Sequence, residues 1–315
     1  MLGLRVMRNS RRHLCDSGRL PKLLQATQSG HSVVWMAPCA KTLKPAVETQ
    51  SSGSTFVFHD EVNADFFAGP NAPRLPSTIV VSAQAVNRSF MEAWREHCPQ
   101  EQMLTLIRRG TSLGSICLDS AKELGIEVFN TPGVNSPHVA QFVVETLGLS
   151  KPLPGPSSAK AVVVGSGSVG QCVVDLMERV GVRPVVVNRS PTSPALAEAL
   201  KGATHVAVCA ATSSEPIFTA AHVEELLRGE ERRSISVCSV SRPEAFSLDA
   251  IMMIAEHAFH DAHLRFDYGD SILAPTRDKV NEDGVKERIT WSSKAMASEA
   301  CKQDMDFAVL ELLGR

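Results

Sequence analysis

The sequence has no uninterrupted apolar run long enough to span a bilayer, so no membrane partner is expected. It has no excess of charge of either sign. With 32 Lys and Arg against 34 Asp and Glu the net charge is −2, which excludes general affinity for nucleic acid. Its eight cysteines, at 15, 39, 98, 117, 172, 209, 238 and 301, include no C-x-x-C pair, so there is no zinc spacing and no metal is expected. Several of them, Cys172 and Cys209 among them, sit inside apolar runs as small hydrophobes, which fits a reducing, cytoplasmic compartment. No internal repeat or low-complexity tract stands out. What remains is a 315-residue chain whose apolar fraction of 43% suits a full core and whose length suits two domains.

One stretch organises the chain. In Ala161 to Ser190, AVVVGSGSVGQCVVDLMERVGVRPVVVNRS, three valines read as a strand buried on both faces. Gly165, Gly167 and Gly170 follow at G-x-G-x-x-G spacing, with Ser166, Ser168 and Val169 between them. Val169, Val173, Leu176, Met177 and Val180 then recur at helical spacing, Gly181 supplies a stop, and Val185 to Val187 read as the next strand. Strand, glycine turn, helix, strand is the context in which this motif holds a dinucleotide. The first glycine allows the turn, the second admits the pyrophosphate, and the third lets helix and strand pack closely. An acid is missing where one would be informative. NAD sites place Asp or Glu at the end of the second strand to accept from the ribose 2′-OH; here stand Asn188, Arg189 and Ser190. Arg189 would attract a 2′-phosphate and its neighbours can donate to it, so NADP(H) is expected, with NAD the alternative.

The first 47 residues contain a single acid, Asp16, among many Lys and Arg. That is the pattern of a mitochondrial transit peptide. A strand–helix–strand order (Leu2 to Met7, Leu20 to Gln25, Ser32 to Met36) favours a folded start instead. Strands follow at Thr55 to Phe58, Thr78 to Ser82, Met103 to Ile107 and Ile126 to Phe129. A Ser89–Glu92 capping box opens a helix through Trp94, and Asp119 to Leu124 is a helical turn stopped by Gly125. Gly69 to Pro76 reads as a loop. This alternation predicts a parallel sheet for the first third of the chain. Ser136 and Pro137 open a helix whose apolar face is Val139, Phe142, Val143 and Leu147. Lys151 to Lys160 is a proline-rich linker. Past Ser190 come a helix at Leu196 to Leu200, a strand at His205 to Cys209, a helix from Thr219 to Gly229 and a strand at Ser234 to Val240. Then follow a helix at Leu248 to Phe259, a last strand at Leu264 to Phe266, a charged loop at Asp278 to Arg288 and a C-terminal helix from Ser292.

Together these segments resemble the D-isomer-specific 2-hydroxyacid dehydrogenase family. The match is carried by ICLDSAKELGIEVFNTPGVNSPHVAQF (Ile116 to Phe142), VGSGSVG, and SVSRPEAFSLDAI (Ser239 to Ile251), and covers roughly Gly110 to Phe266. The resemblance implies an α/β chain of two Rossmann-like domains with a cleft between them: a flavodoxin-like substrate domain, 1–136 with 290–315, and a doubly wound NAD(P)-binding domain, 137–289. It implies that Arg242 holds the carboxylate and carbonyl of a small 2-keto acid, which suits a planar guanidinium. It also implies that the backbone of Gly110, Thr111, Ser112 and Leu113 cradles that carboxylate. In this chain Ser112 stands where the family usually has a second glycine.

The family's proton-transferring histidine follows a proline near the end of the coenzyme domain. The matching stretch here is Ala274-Pro275-Thr276, with Thr276 in the histidine's place. A threonine hydroxyl cannot store a proton near neutral pH. The orienting glutamate matches Asp270, or Asp267 in another register. His257, His260 and His263 read as solvated, and His138 lies on the crossing helix. The helical arm that makes the family's dimer has only Gly148 to Lys160 available, so a monomer or a dimer through another surface is expected. The reading is an NADP(H)-dependent reductase of a small 2-keto acid such as glyoxylate or hydroxypyruvate. The alternative is an NADP-binding family member, catalytically weak or inactive, that acts as a sensor or interaction protein.

Overall fold

The computed structural model describes residues 23–24, 32–50, 54–69, 76–150, 159–188, 195–212, 215–257, 259–282 and 288–314. The expected elements at Leu2 to Met7 and most of Leu20 to Gln25, the Gly69–Pro76 loop, nearly all of the linker, Arg189 and Ser190 lie outside these residues. The chain divides into two compact units, Met1–Asn135 with Ser298–Arg315, and Ser136–Ala297.

The first domain carries five parallel strands: β1 (Ser32–Trp35), β2 (Thr55–Phe58), β3 (Thr78–Val81), β4 (Leu104–Arg108) and β5 (Ile126–Asn130). Their order is β2-β1-β3-β4-β5. Alternation along each strand sends side chains to two separate cores. On one face Val34, Ile79, Val81, Leu104 and Leu106 meet Phe90, Met91 and Trp94 of α2 (Arg88–His97), α1 being Leu43–Gln50. On the other, Val33, Trp35, Val80 and Ile107 meet Leu43 and Val47 of α1 and Phe307 and Leu310 of the C-terminal helix, Glu299–Leu313. A short helix α3 (Leu118–Glu123) precedes β5 and is stopped at Gly125, whose φ of +66° suits glycine.

Two local expectations in this domain are corrected. The cap of α2 is Asn87, whose side chain accepts from the N–H of Phe90, while Glu92 pairs with Arg88 instead of closing a box with Ser89. Met103 is 69% exposed and lies before β4, not in the buried strand.

The second domain opens with α4 (Ser136–Thr146) and continues β6 (Ala161–Val164), α5 (Ser168–Arg179), β7 (Val185–Val187), α6 (Leu196–Leu200), β8 (His205–Val208) and α7 (Ala220–Leu227). It ends with β9 (Ser234–Ser239), α8 (Leu248–Glu256), β10 (Asp261–Asp267), α9 (Asp270–Glu282) and β11 (Ile289–Ser292). The strands are parallel in the order β11-β10-β9-β8-β6-β7, so the winding reverses beside β6. Val162, Val164, Val206, Val208, Val237, Leu264 and Phe266 face α7 and α8, and Ala161, Val163, Ala207 and Cys238 face α4 and α5. Both faces are covered, which is why the strands read as continuous valine runs.

Past Leu264 the structure corrects the sequence reading at three points. The strand there runs over Asp261–Asp267 and is not the last, because β11 pairs with it from Leu264↔Ile289 to Asp267↔Ser292. The charged segment starting at Asp278 is not loop throughout; it begins as the end of helix α9, which tolerates Pro275 inside it. The C-terminal helix starts at Glu299 with Ser298 as its cap, and Met296, expected on its apolar face, is half exposed ahead of it.

Candidate active site

In an open parallel sheet, ligands gather outside the carboxyl ends of the strands, at the point where the winding reverses. In the second domain that point holds the glycine turn. Gly165 follows β6 at φ +103°, and a Cβ there would stand 2.7 Å from the Cα of Ala210, in the loop after β8. At Gly170 a Cβ would sit 1.9 Å from the Gly165 carbonyl oxygen, so only glycine lets α5 lie this close to β6. Gly167 differs: nothing lies within 4 Å of the position its Cβ would take. It is also the N-cap of α5 and offers no side-chain acceptor to the free N–H groups of the first turn. The turn thus presents open space, backbone donors and the positive end of a twelve-residue helix, as a pyrophosphate requires. Ser166, Ser168 and Val169 complete the turn. Asn188 is exposed just past β7; the expected 2′-phosphate partners Arg189 and Ser190 lie outside the described residues.

Arg242 follows β9 on the same edge. Its loop is fixed by Ser241, whose buried hydroxyl donates to the carbonyl of Ala210 at 2.7 Å. The Arg242 guanidinium is 48% exposed and meets Glu244 through Nη2 at 3.2 Å and Nε at 3.3 Å. Hydrogen bonding to Glu244 raises its already high pKa, so it is a permanent cation. An exposed pair of this kind is worth little and yields readily to a better-placed carboxylate.

The acid–base candidates separate by strand polarity. His257, His260 and Asp261-paired His263 precede or open β10, at the amino edge, away from the glycine turn. His260 is not solvated as expected but fully buried. Its Nδ1 accepts from the Arg233 N–H at 3.2 Å and its Nε2 donates to the Leu227 carbonyl at 2.6 Å. Burial and the neighbouring His260 and Arg288 lower the pKa of His257. Asp267, at the carboxyl end of β10, is buried; it accepts from Ser292 Oγ at 2.5 Å and from the N–H groups of Lys294 at 2.7 Å and Ala295 at 3.0 Å. It fastens the turn after β11. Asp270 stands on the carboxyl edge with 72% of its side chain exposed, paired with Arg277 at 2.7 Å. Thr276 is half-buried within α9, roughly 120° around the helix from Asp270, so the two do not meet. His138 is half-buried in the first turn of α4.

One residue on this edge escaped the sequence reading. Lys294, directly after β11, lines with Asp270, Arg265, Phe142, Thr290 and Ser293 a cavity of about 310 Å³. The signal for it was the short β-branched and aromatic run Ile289-Thr290-Trp291. That run falls between the expected charged loop, which ends at Arg288, and the expected C-terminal helix, which starts at Ser292, and belongs to neither.

In the first domain, Gly110, Thr111, Ser112 and Leu113 follow β4, also at a carboxyl end. Gly110 has φ +137° and donates to Thr131 Oγ1 at 2.9 Å. Asn130 donates to the Thr111 carbonyl at 2.7 Å, and Gly133 to Thr111 Oγ1 at 3.2 Å. Behind the loop, Arg109 and Asp306 form an ion pair at 2.7 Å with side chains only 4% and 2% exposed. The loop is therefore held by the Gly110 N–H and by the carbonyl and side chain of Thr111, which leaves the N–H groups of Thr111, Ser112 and Leu113 for an anion.

No protein-family model matches this sequence, and no curated protein matches it. Solved structures do. D-2-hydroxyisocaproate dehydrogenase superposes with a TM-score of 0.70 at 14% identity, over 90% of this chain and 95% of that one. The chain has the fold of the D-2-hydroxyacid dehydrogenases. The NAD⁺-bound 3-phosphoglycerate dehydrogenase of Entamoeba histolytica gives 0.67 at 15% identity over 91% and 95% of the two chains. The D-lactate dehydrogenase of Escherichia coli gives 0.67 at 13% identity over 88% and 93%. Within the D-2-hydroxyacid dehydrogenase fold, both sheets of this chain carry their candidate residues at carboxyl ends.

Proposed function

We propose that the protein is an NADP(H)-dependent oxidoreductase of the D-2-hydroxyacid dehydrogenase type, reducing a small 2-keto acid such as glyoxylate or hydroxypyruvate. The observation that carries this reading is the glycine turn: tight at Gly165 and Gly170, open at Gly167, and set at the reversal of the second sheet. A nicotinamide cofactor bound there would supply the hydride. Gly165 to Gly170 would hold its pyrophosphate by backbone donors, and Arg189, Ser190 and Asn188 would take the 2′-phosphate. Arg242 exchanges its exposed Glu244 partner for the keto acid's carboxylate and carbonyl and polarises the bond that receives the hydride. The N–H groups of Thr111, Ser112 and Leu113 serve the same carboxylate. Proton supply is assigned to Asp270, on the carboxyl edge, while Thr276 is half-buried within α9.

The deciding experiment is a fluorescence titration with NADPH and NADH, followed by turnover on a panel of keto acids. NADPH should bind more tightly, and Arg189→Asp should reverse the order by roughly tenfold to a hundredfold, the worth of a charge-assisted contact. Equal affinity for the two cofactors would remove the NADP reading. One observation favours the second reading, a weak or inactive NADP-binding protein: no histidine follows His263 in the sequence. In that case NADPH binds and no keto acid on the panel is consumed.

A further inference from the structure

Reduction of a keto acid places a proton on the substrate's oxygen, so the carboxyl edge needs a group that carries one. Arg242 polarises the carbonyl but cannot release a proton. Asp270 stands there as a carboxylate, 2.7 Å from Arg277. A carboxylate relays a proton and holds none in store. The cavity of about 310 Å³ that Asp270 borders contains the missing kind of group.

Lys294 lies just past β11, and its side chain lines that cavity between walls that include Phe142 and Trp291. Two features set it apart from an ordinary surface lysine. The first is its footing. Buried Asp267, at the end of β10, accepts from Ser292 Oγ and from the N–H groups of Lys294 and Ala295. Burying a carboxylate is costly unless its bonds are met, and the turn that carries Lys294 meets them. The backbone under Lys294 is thereby tied to β10 while its side chain stays exposed to the cavity. The second is its charge. The Lys294 ammonium has no ion pair and no hydrogen bond among the described residues, because the carboxylate that shares its cavity, Asp270, is taken by Arg277. Arg265, from β10, is the other cation at the wall, and it cannot give up its proton. Thr290, Ser292 and Ser293 border the cavity with hydroxyls too weakly acidic for the task.

The placement suits the substrate as well. β9, β10 and β11 are successive neighbours, with Phe266 paired to Ser239 and Asp267 to Ser292. The strand ends that carry Arg242 and Lys294 therefore stand two strand spacings apart, about 10 Å. Two long side chains across that gap can meet on one small keto acid.

We propose that Lys294 is the catalytic residue that gives the proton to the substrate's carbonyl oxygen; this rests on the dehydrogenase reading of the same edge. Hydride from the reduced nicotinamide forms the new C–H bond, and the π pair of the carbonyl moves onto oxygen. That oxygen takes a proton from Nζ of Lys294, which forms the O–H bond and leaves a neutral amine. The keto carbon is reduced and the nicotinamide oxidised. A forming alkoxide is a far stronger base than an amine, so the transfer is downhill, and until it occurs the ammonium stabilises the growing negative charge. Asp270, with 72% of its side chain exposed, then supplies the amine with a proton drawn from water. In the reverse direction the neutral amine takes the hydroxyl proton of the 2-hydroxy acid.

The test uses the full chain with whichever reduced cofactor it binds more tightly. Lys294→Gln should lower kcat about 10²–10⁴-fold, the usual worth of a positioned acid. It should also weaken calorimetric binding of oxamate, an unreactive keto acid analogue, by roughly tenfold, because the ammonium touches the same oxygen. The Lys294 side chain is exposed and Asp267 is held by its backbone N–H, so the variant folds. In Lys294→Ala, added ethylamine should restore part of the lost rate. Tetramethylammonium, which carries the charge but no transferable proton, should not. Tyr268, on the same edge but not bordering the cavity, serves as the control, and Tyr268→Phe should keep its rate. Full rate in Lys294→Gln would overturn the proposal, as would equal rescue by the two cations. So would a keto acid adduct trapped on Lys294 by borohydride, which would make the amine a covalent ligand. In each of these cases keto acids are still consumed and the dehydrogenase reading stands. A protein that consumes none on the panel would remove both.

Discussion

At the scale of single residues, the three glycines of the turn make opposite demands and can be told apart by one added methyl group. At Gly170 a Cβ would collide with backbone at 1.9 Å, so Gly170→Ala should lower stability by about 1–3 kcal/mol or more, read as a fall in melting temperature. At Gly167 there is room, and the φ of −70° suits any residue. Gly167→Ala should therefore melt like the unmodified protein and bind NADPH more weakly. A Gly167→Ala protein with normal NADPH affinity would show that the pyrophosphate does not approach there. Arg242→Ala should cost roughly tenfold to a hundredfold in keto acid affinity with cofactor binding unchanged. Thr276→His should bring no gain in rate, because Thr276 sits within α9 instead of at a strand end; Asp270→Asn is the change expected to slow turnover. A tenfold gain from Thr276→His would restore Thr276 to the acid position.

At the scale of elements, the buried Arg109–Asp306 pair joins the loop after β4, the loop after β1 and the C-terminal helix. Burial pushes the Asp306 carboxyl up to about 6 even with Arg109 beside it. A folded-state pKa above the unfolded one means that the native state holds the extra proton between about pH 4 and 6. This carboxyl therefore supports the fold below that window, and the support is lost as pH rises through it. Melting temperatures should show this slope, and Asp306→Asn should abolish it while lowering stability above that window, where Arg109 is then buried without its counter-charge. An identical pH slope in the variant would mean that Asp306 titrates as it does in the unfolded chain.

The elements also divide by how far the sequence disclosed them. Strands buried on both faces, such as Val162 to Val164, announce themselves, because burial on two sides leaves no polar alternation to confuse them. The glycine turn was legible because each glycine has a steric reason. The stretch from Leu264 onward was not. There, a helix containing Pro275 and a four-residue edge strand both depend on packing against β10 and α8, which no local pattern encodes. Lys294 was hidden by the same gap. His260 was misread for a related reason: a buried imidazole with both nitrogens bonded to backbone has the same sequence neighbourhood as a solvated one.

At the scale of the whole molecule, the chain builds two domains from three pieces, and the last piece returns to the first. Removing Ser298 onward should strip Phe307, Val309, Leu310 and Leu313 from the first domain's core and leave Arg109 buried without a partner. The second domain, which has its own two cores, should still bind NADPH. Amide exchange would show the first sheet open and the second protected. Protection of both sheets in the shortened chain would contradict this division. The unmodified protein is expected to behave as a monomer near 34.0 kDa in light scattering, because the chain between α4 and β6 is too short to supply a dimer arm.

The late return of that helix has a consequence during synthesis. A ribosome adds about 5–20 residues per second, so the second domain occupies it for on the order of ten seconds after β5 has emerged. Throughout that interval one face of the nascent first sheet, with Val33, Trp35, Val80 and Ile107, has Leu43 and Val47 of α1 against it but waits for the part of its cover not yet translated. The domain made second is thus the one able to finish folding first, and the domain made first keeps part of one sheet face uncovered until its final helix arrives.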